Sequence, residues 1–227
     1  MKIYLSSIHN HSIPDLLPLV SQERRQASLK YRFDDDKKRS LLAYVLLSYA
    51  IKKEGYDVHL PAAPVTDDNG KPHLYVETGE ISFSLSHSGK YAVCAIADHP
   101  VGVDIEEIND NKPDIARRFF NPEELKYISD AESFYRIWTL KEGYLKAVGL
   151  GMRLPLDSFI IDDLDPLTGK CVYLNENRSA TGLSGLSHIT EDGYALSVTC
   201  RTLPQEGIMS VCSFISDNSR LYDLAQK

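Results

Sequence analysis

The stretch Val101-Gly-Val-Asp-Ile-Glu-Glu-Ile108 predicts a β-strand with one apolar face and one acidic face. Side chains two residues apart in a strand point to the same side of the sheet. Asp104 and Glu106 therefore share one face, and Val103 and Ile105 share the other. Two carboxylates on one face are either a solvated strand end or part of a metal site.

A second stretch, Trp138-Thr-Leu-Lys-Glu-Gly-Tyr-Leu-Lys-Ala147, predicts a helix. Trp138, Glu142 and Lys146 are four residues apart and so lie on one helical face. Alone, a Glu–Lys pair at this spacing usually only supports the helix. Together, the strand and the helix predict three carboxylates around one hard cation, because Mg²⁺ takes few carboxylates and shares the oxygens of a substrate phosphate. Lys146 would neutralise that phosphate.

Size and composition limit the classes of protein to consider. The chain has 227 residues, of which 43% are hydrophobic, enough for one large domain or two compact halves. Its net charge of −7 argues against general nucleic-acid binding, which needs a basic surface. It has no apolar run long enough for a membrane span and no visible secretory signal, so we expect a soluble cytoplasmic protein. Four scattered cysteines without a C-x-x-C pattern predict buried free thiols.

The first part of the chain predicts strands around one long helix. The elements are an opening strand from Lys2 to Ser7, a helix after Ser21, a long helix opened by Asp34-Asp-Asp36, and strands over 81–85 and 91–97. The turn Ser86-His-Ser-Gly89 is predicted to break the strand before it. A Ser–His pair could indicate a hydrolase, but no Gly-x-Ser-x-Gly elbow is present, which disfavours a serine nucleophile.

The second part of the chain has a similar order of elements. Its predicted helices are 114–120, one starting at Asn121-Pro-Glu-Glu124, and a long helix capped by Asp130 and ended by Gly149. Strands are predicted over 159–161, 172–174, 187–190, 194–200 and 209–214. Helices followed by strands, twice over, are compatible with an α+β fold of two similar halves, residues 1–100 and 101–227, with the metal-site motifs in the second.

With these motifs assembled, the chain resembles the 4′-phosphopantetheinyl transferases of the surfactin-synthetase-activating type over most of its length. Gly102-Val-Asp-Ile-Glu106 and 138–147 resemble the two signatures of that family. Phe83-Ser-Leu-Ser-His-Ser-Gly89 and Gly70-Lys-Pro72 resemble its coenzyme A-binding elements. The resemblance implies two similar halves related by pseudo-twofold symmetry, with the active site in the cleft between them.

The resemblance also implies a reaction and its residues. Phosphopantetheine would move from coenzyme A to a serine hydroxyl of an apo acyl or peptidyl carrier protein, with Mg²⁺ bound and adenosine 3′,5′-bisphosphate released. The implied metal ligands are Asp104, Glu106 and Glu142. The implied catalytic residues are Glu142 and Lys146, and the implied coenzyme A contacts are Arg24, Arg39, Ser40, Lys71, Ser86, His87 and Lys146.

Some details stay open in the sequence. Ala27 stands where relatives can carry a lysine, and Lys30, one helical turn on, is a candidate replacement. Either Glu142 or a metal-bound water would accept the serine proton. The sequence identifies neither the carrier nor a preference for Mg²⁺ over Mn²⁺. We expect a monomer, because one chain holds both halves.

A docking face for the carrier is also predicted. Carrier proteins are typically acidic around their serine, so we expect them to dock near Arg117, Arg118 and the helix over 121–129.

Two other functions use the same residues. A Mg²⁺-dependent hydrolase of a nucleotide pyrophosphate would use the three carboxylates with water in place of the serine. A binding module would keep the fold without turnover, but the presence of all three carboxylates and Lys146 argues against an inactive site. Incubation with coenzyme A and an apo carrier distinguishes these functions from a transferase.

Overall fold

The computed structural model describes residues 1–77, 79–109, 113–216 and 221. The chain folds into two compact units. The first comprises Met1–Asp67, Pro72–Asp98 and Val211–Lys227, and the second comprises Asp68–Lys71 and His99–Ser210. The main boundary lies two residues before the predicted one at residue 100, and each unit takes one short segment from the other side of it.

In the described residues each unit combines helices with one mainly antiparallel sheet, which confirms the α+β class. The strands are β1 (Lys2–Ser7), β2 (Val65–Thr66), β3 (Pro72–Val76), β4 (Gly79–Ser88), β5 (Tyr91–Ala97), β6 (Gly102–Glu107), β7 (Phe159–Asp162), β8 (Lys170–Asn175), β9 (Ala180–Ile189), β10 (Tyr194–Cys200) and β11 (Cys212–Phe214). The helices are α1 (Ile13–Leu16), α2 (Gln22–Ser28), α3 (Asp34–Lys53), α4 (Pro113–Phe119) and α5 (Ala131–Val148). Within the described residues, no helix is both long and apolar enough to span a bilayer.

In the first unit, α3 packs on a sheet of strand order β11-β1-β5-β4-β3-β2. Three aspartates occupy the first turn of α3, where the helix dipole favours negative charge. Its apolar positions, Leu42 and Leu46 among them, are fully buried. Tyr49 of α3 meets Tyr4 of β1 edge to face, with ring centroids 5.4 Å apart. The predicted long helix and opening strand are therefore confirmed.

In the second unit, α5 packs on a sheet of strand order β6-β10-β9-β8-β7. Asp130 caps the start of α5 in a capping box with Ser133, as the sequence predicts. Gly149 ends the helix with a left-handed φ of 77°, which glycine adopts at little cost. The segment after Asn121 has the predicted N-cap, to which the structure adds a capping box with Glu124, but it forms a short 3₁₀ helix, Pro122–Tyr127.

Two strand predictions need correction. Ser86 and His87 do not lie in a turn, because β4 continues to Ser88 and pairs there with Tyr91. The turn is the two-residue connection after Ser88, where Gly89 has a φ of 50°. The predicted strand over 209–214 is also too long, since Ile208–Val211 is a 3₁₀ helix and only β11 is extended. β11 pairs in parallel with β1 and therefore belongs to the first unit.

The two units share a topology. A first strand, a long helix and a four-strand meander (β2 to β5 in the first unit, β7 to β10 in the second) follow one another, and the last strand of the meander pairs with the first strand. The strand order is β1-β5-β4-β3 in the first unit and β6-β10-β9-β8 in the second. The pseudo-twofold relation between the halves stays a prediction. All four cysteines are free thiols and three of them are buried, as the sequence predicts.

Candidate active site

Helix α5 and strand β6 touch through their backbones. A Cβ atom on Gly102 would lie only 1.8 Å from the carbonyl oxygen of Gly143, so only glycine fits at this point of the strand. Since Asp104 and Glu106 are on the same face of the strand as Gly102, they also face the helix.

This close approach brings Glu142 and Lys146 of α5 to the strand. The Nζ atom of Lys146 is 2.6 Å from Oδ1 of Asp104 and donates a second hydrogen bond, of 3.1 Å, to the carbonyl oxygen of Val103. Asp104 is buried, with 4% of its surface exposed. Glu142 and Lys146 are half-buried. The carboxylate and the ammonium group thus form an ion pair shielded from much of the solvent.

The pKa of Glu142 is raised above its ordinary value. Burial is the main cause, and the negative charge of Asp104 is the next, with a smaller contribution from Glu106. Lys146 opposes the shift because its positive charge favours the ionised carboxylate. The three carboxylates that the sequence predicts to converge therefore lie within electrostatic reach of one another.

Metal binding is supported here by donor chemistry only. Three mutually repelling carboxylates, one of them buried, suit a hard divalent cation. However, in the part of the chain that the structure describes, no three His, Cys, Asp or Glu side chains are arranged as a metal-ligand set. Lys146 is the cation that contacts Asp104 in this structure. The assignment of Mg²⁺ to these residues remains a prediction.

A second ion pair, between Lys141 of α5 and Glu124, is also buried. Lys141 and Glu124 both have fully buried side chains, with Nζ and Oε1 2.7 Å apart. Nζ also donates to the carbonyl oxygens of Leu156 and Phe159, at 2.6 and 3.0 Å. Burial lowers the pKa of Lys141 and raises that of Glu124, while their mutual attraction opposes both shifts. Every N–H of the ammonium group has an acceptor, so the pair is well satisfied.

The sequence contains a signal for this pair that our predictions did not use. Lys141 lies four residues after Ile137 and four before Leu145, both of which are buried. A lysine within an apolar stripe at helical spacing indicates a buried charge that needs a partner. The spacing does not reveal that the partner is Glu124.

Lys71 lies at the C-terminal end of α5. Its Nζ donates to the carbonyl oxygen of Ala147 at 3.3 Å, one of the last carbonyls of the helix, which lack partners inside the helix. Lys71 thus contacts the end of the helix that carries Lys146. The structure therefore brings Lys71 close to the strand–helix pair, although the sequence separates them by more than one element.

Arg24 and Ser40 lie in the first unit. The guanidinium group of Arg24 on α2 stacks over the ring of Tyr44 on α3, at 4.2 Å from its centroid. One turn before Tyr44, the hydroxyl of Ser40 is buried without a hydrogen-bond partner in the described part of the chain. These two predicted coenzyme A contacts thus belong to adjoining helices.

The other coenzyme A contacts predicted in the first unit are Arg39, Ser86 and His87. They lie near the hairpin turn between β4 and β5. Arg39 of α3 donates to the carbonyl oxygen of Gly89 and pairs with Asp36. Ser86 is half-buried and His87 is exposed on β4, just before that turn. Arg39 therefore fixes the backbone that follows Ser86 and His87.

The proposed replacement of Ala27 by Lys30 stays a prediction. Helix α2 ends at Ser28, and the amide of Lys30 bonds to the Ala27 carbonyl at 3.2 Å in the turn beyond it. Lys30 therefore lies one 3₁₀-type turn after Ala27, just beyond the end of α2.

Comparison with known proteins gives two family matches that together cover most of the chain. A family model described as "4'-phosphopantetheinyl transferase superfamily" matches residues 100–199. A model described as "4'-phosphopantetheinyl transferase, N-terminal" matches residues 9–99.

Individual relatives agree with these matches. The 4′-phosphopantetheinyl transferase gsp of Aneurinibacillus migulanus is 36% identical over 167 residues, which are 69% of this chain and 68% of the relative. A 4′-phosphopantetheinyl transferase of Bacillus subtilis is 34% identical over 64% of this chain and 67% of its own. The psf-1 transferase of Bacillus pumilus is 38% identical over 65% of each chain.

Proposed function

Because this chain belongs to the 4′-phosphopantetheinyl transferase family, we propose that it transfers the 4′-phosphopantetheine group of coenzyme A to a serine hydroxyl of an apo carrier protein. The observation that most directly supports the proposal is the close approach of Gly102 to the backbone of Gly143. It sets Glu142 and Lys146 beside the two carboxylates of β6.

The reaction exchanges the phosphoanhydride bond of the coenzyme A pyrophosphate for a phosphoester bond to the carrier serine. The serine oxygen attacks the β-phosphorus of coenzyme A, and the bond from that phosphorus to adenosine 3′,5′-bisphosphate breaks. Glu142 accepts the serine proton. Burial and the charge of Asp104 raise the pKa of Glu142 when no metal is bound, and a carboxylate within hydrogen-bond reach of the hydroxyl can act as its general base.

Charge on the phosphates is balanced by the surrounding residues. Asp104, Glu106 and Glu142 would hold Mg²⁺, which supplies positive charge to the pyrophosphate and its leaving group. Lys146, now paired with Asp104, contacts the transferred phosphoryl group. Lys71 also contacts coenzyme A.

In the first unit, the proposed contacts to the nucleotide end of coenzyme A are Arg24, Arg39, Ser40, Ser86 and His87. The stacked guanidinium of Arg24 and the buried hydroxyl of Ser40 both offer donors suited to a phosphate. We expect His87→Ala mainly to raise the KM for coenzyme A.

The carrier docks on a basic and apolar face that includes α4. Arg117, Arg118 and Phe119 are exposed there. An acidic carrier would be steered to this face by charge, and such steering weakens with salt. Transfer that is insensitive to ionic strength and to Arg117→Glu would argue against this placement. The protein acts as a monomer in the cytoplasm.

The test is a mass-shift assay. The protein is incubated with coenzyme A, Mg²⁺ and several apo carriers, each with a matched control in which the acceptor serine is alanine. A phosphopantetheine mass gain on the serine carriers alone supports transfer. Nucleotide release without any carrier would instead indicate the pyrophosphate hydrolase, an alternative for which the named relatives give no support.

A further inference from the structure

Residues 68–71 belong to the second unit, and Arg153 holds the start of this segment. The Nη2 atom of Arg153 donates to the carbonyl oxygen of Asp68 at 2.8 Å. Its Nη1 atom donates to the side-chain oxygen of Asn69. One planar guanidinium group therefore fixes two consecutive residues, and this geometry is specific to arginine.

The end of the segment is fixed by Lys71 itself. Lys71 donates to the Ala147 carbonyl, and its side chain lies across Gly149. A Cβ atom on Gly149 would be 2.5 Å from Cδ of Lys71. Gly149 therefore has two uses, since its left-handed φ of 77° ends α5 and its missing side chain leaves room for the lysine.

Arg153 is tied to the same helix end. The 3₁₀ helix Gly151–Arg153 follows α5 directly, and the amide of Arg153 bonds to the carbonyl of Leu150 at 3.3 Å. The end of α5 thus leads directly into the 3₁₀ helix, and the guanidinium group of Arg153 at the end of that helix supports the segment before Lys71.

We propose that Arg153 is a positioning residue for Lys71: it holds Asp68 and Asn69 so that the lysine enters the site already oriented. This inference rests on the proposed function, in which Lys71 meets coenzyme A. Arg153 is exposed and its described side-chain hydrogen bonds go to the segment, so loss of the side chain should weaken binding of coenzyme A without slowing the chemical step.

The test uses Arg153→Ala in the full chain. We expect the KM for coenzyme A to rise about three- to tenfold, the range that one or two hydrogen bonds give, with kcat unchanged within about twofold. Hydrogen–deuterium exchange of the peptide over 66–76 should become faster. Arg178→Ala is the matched control, because Arg178 is also exposed in this unit but pairs with Glu123 on the surface. It should change none of these values.

A double-mutant cycle with Lys71→Ala separates positioning from direct contact. If Arg153 acts through Lys71, adding Arg153→Ala to Lys71→Ala should raise the KM no further. Additive effects, an unchanged KM, or unchanged exchange in Arg153→Ala would overturn the proposal. A wild-type protein that modifies no carrier would instead refute the proposed function, while faster exchange in Arg153→Ala would still support the holding of the segment.

Discussion

The two units share a strand order around one long helix, but the two helices rest on different surfaces. In the first unit, α3 packs on bulky apolar and aromatic side chains, including Tyr4 of β1 and Phe83 of β4. In the second, α5 also packs on aromatic residues such as Phe159 and Tyr173, but where it crosses β6 and β10 it lies on small and polar residues. Gly143 approaches Thr199, and Thr139 shares a hydrogen bond of 2.6 Å with Ser197 of β10.

The register of the paired strands identifies the corresponding positions in the two units. Tyr4 is the third residue of β1 and pairs with Cys94, the fourth residue of β5. Asp104 is the third residue of β6 and pairs with Ser197, the fourth residue of β10. The same place in the topology therefore holds a phenol bonded to Glu54 in one unit and a carboxylate bonded to a lysine in the other.

The comparison teaches how one topology serves two purposes. Large side chains between helix and sheet bury apolar surface, which stabilises the first unit. Small residues let the backbone of α5 approach β6, so that side chains of the helix can reach the carboxylates of the strand. We expect substitutions at corresponding places to change stability in the first unit and activity in the second.

The largest expected effect is a loss of transfer activity on substitution of Asp104, with Tyr4 as the corresponding position in the first unit. Asp104→Ala, like Glu142→Gln, should lower transfer by about a thousandfold or more, since charge stabilisation at a phosphoryl centre contributes several kcal/mol. The protein should stay folded by circular dichroism. Tyr4→Phe should retain transfer and lose only stability. Full activity of Asp104→Ala in the carrier mass-shift assay would remove this residue from the site.

The next effect concerns the buried pair Lys141–Glu124. Lys141→Met leaves Glu124 buried without its partner and should cost about 3–5 kcal/mol of unfolding free energy. Adding Glu124→Gln should recover part of that loss, because no charge is then left unpaired and the amide oxygen still accepts from the Ile161 N–H. Urea unfolding measures both. In the first unit, Leu46→Ala should cost about 2–5 kcal/mol by leaving a cavity. A double variant no more stable than Lys141→Met would contradict our account of the pair.

A smaller effect is expected where helix and strand touch. Gly102→Ala inserts a methyl group against the carbonyl of Gly143 and should cost about 1–3 kcal/mol of stability through overpacking. It should also lower kcat, because Glu142 and Lys146 move with the helix. Lys2 occupies the corresponding place in β1 and is exposed, so Lys2→Ala should leave melting temperature and kcat nearly unchanged. Equal kcat values for the two variants would show that close approach is not needed.

The smallest expected effect is a pH dependence of the stability of the first unit. Hydrogen bonds to Asp67 and Glu80 raise the pKa of His73. This stabilisation is complete below the ordinary histidine pKa of about 6.5 and is lost as pH rises through the raised value. Because both carboxylates are partly exposed, we expect a loss of at most about 1 kcal/mol. His73→Gln should abolish the dependence, as seen by thermal unfolding from pH 6 to 9. An NMR-measured pKa of His73 at or below 6.5 would contradict it.

His11 provides a contrast of opposite sign in the same unit. Burial lowers its pKa, so its protonation should destabilise the unit as pH falls below about 6.5.

Local rules predict most of the secondary structure, because caps and periodic patterns act over a few residues. Asp130 and Gly149 mark the two ends of α5 as the sequence predicts. The errors in the predicted secondary structure occur where pairing with a strand distant in sequence determines the local conformation. β4 runs through Ser86 and His87 because β5 pairs with it up to Ser88, and β11 joins the first unit because β1 offers a free parallel edge to it.

The two motifs, the faces that their residues share and, through the motifs, the family can all be inferred from the amino-acid sequence. These follow from strand and helix periodicity and from residue types. Only the tertiary structure decided that α5 lies on β6 through Gly102 and Gly143, that Lys146 pairs with Asp104, and that Arg153 holds the segment before Lys71. The physical reason is that such contacts join residues far apart in the chain, and packing chooses among the partners that spacing leaves possible.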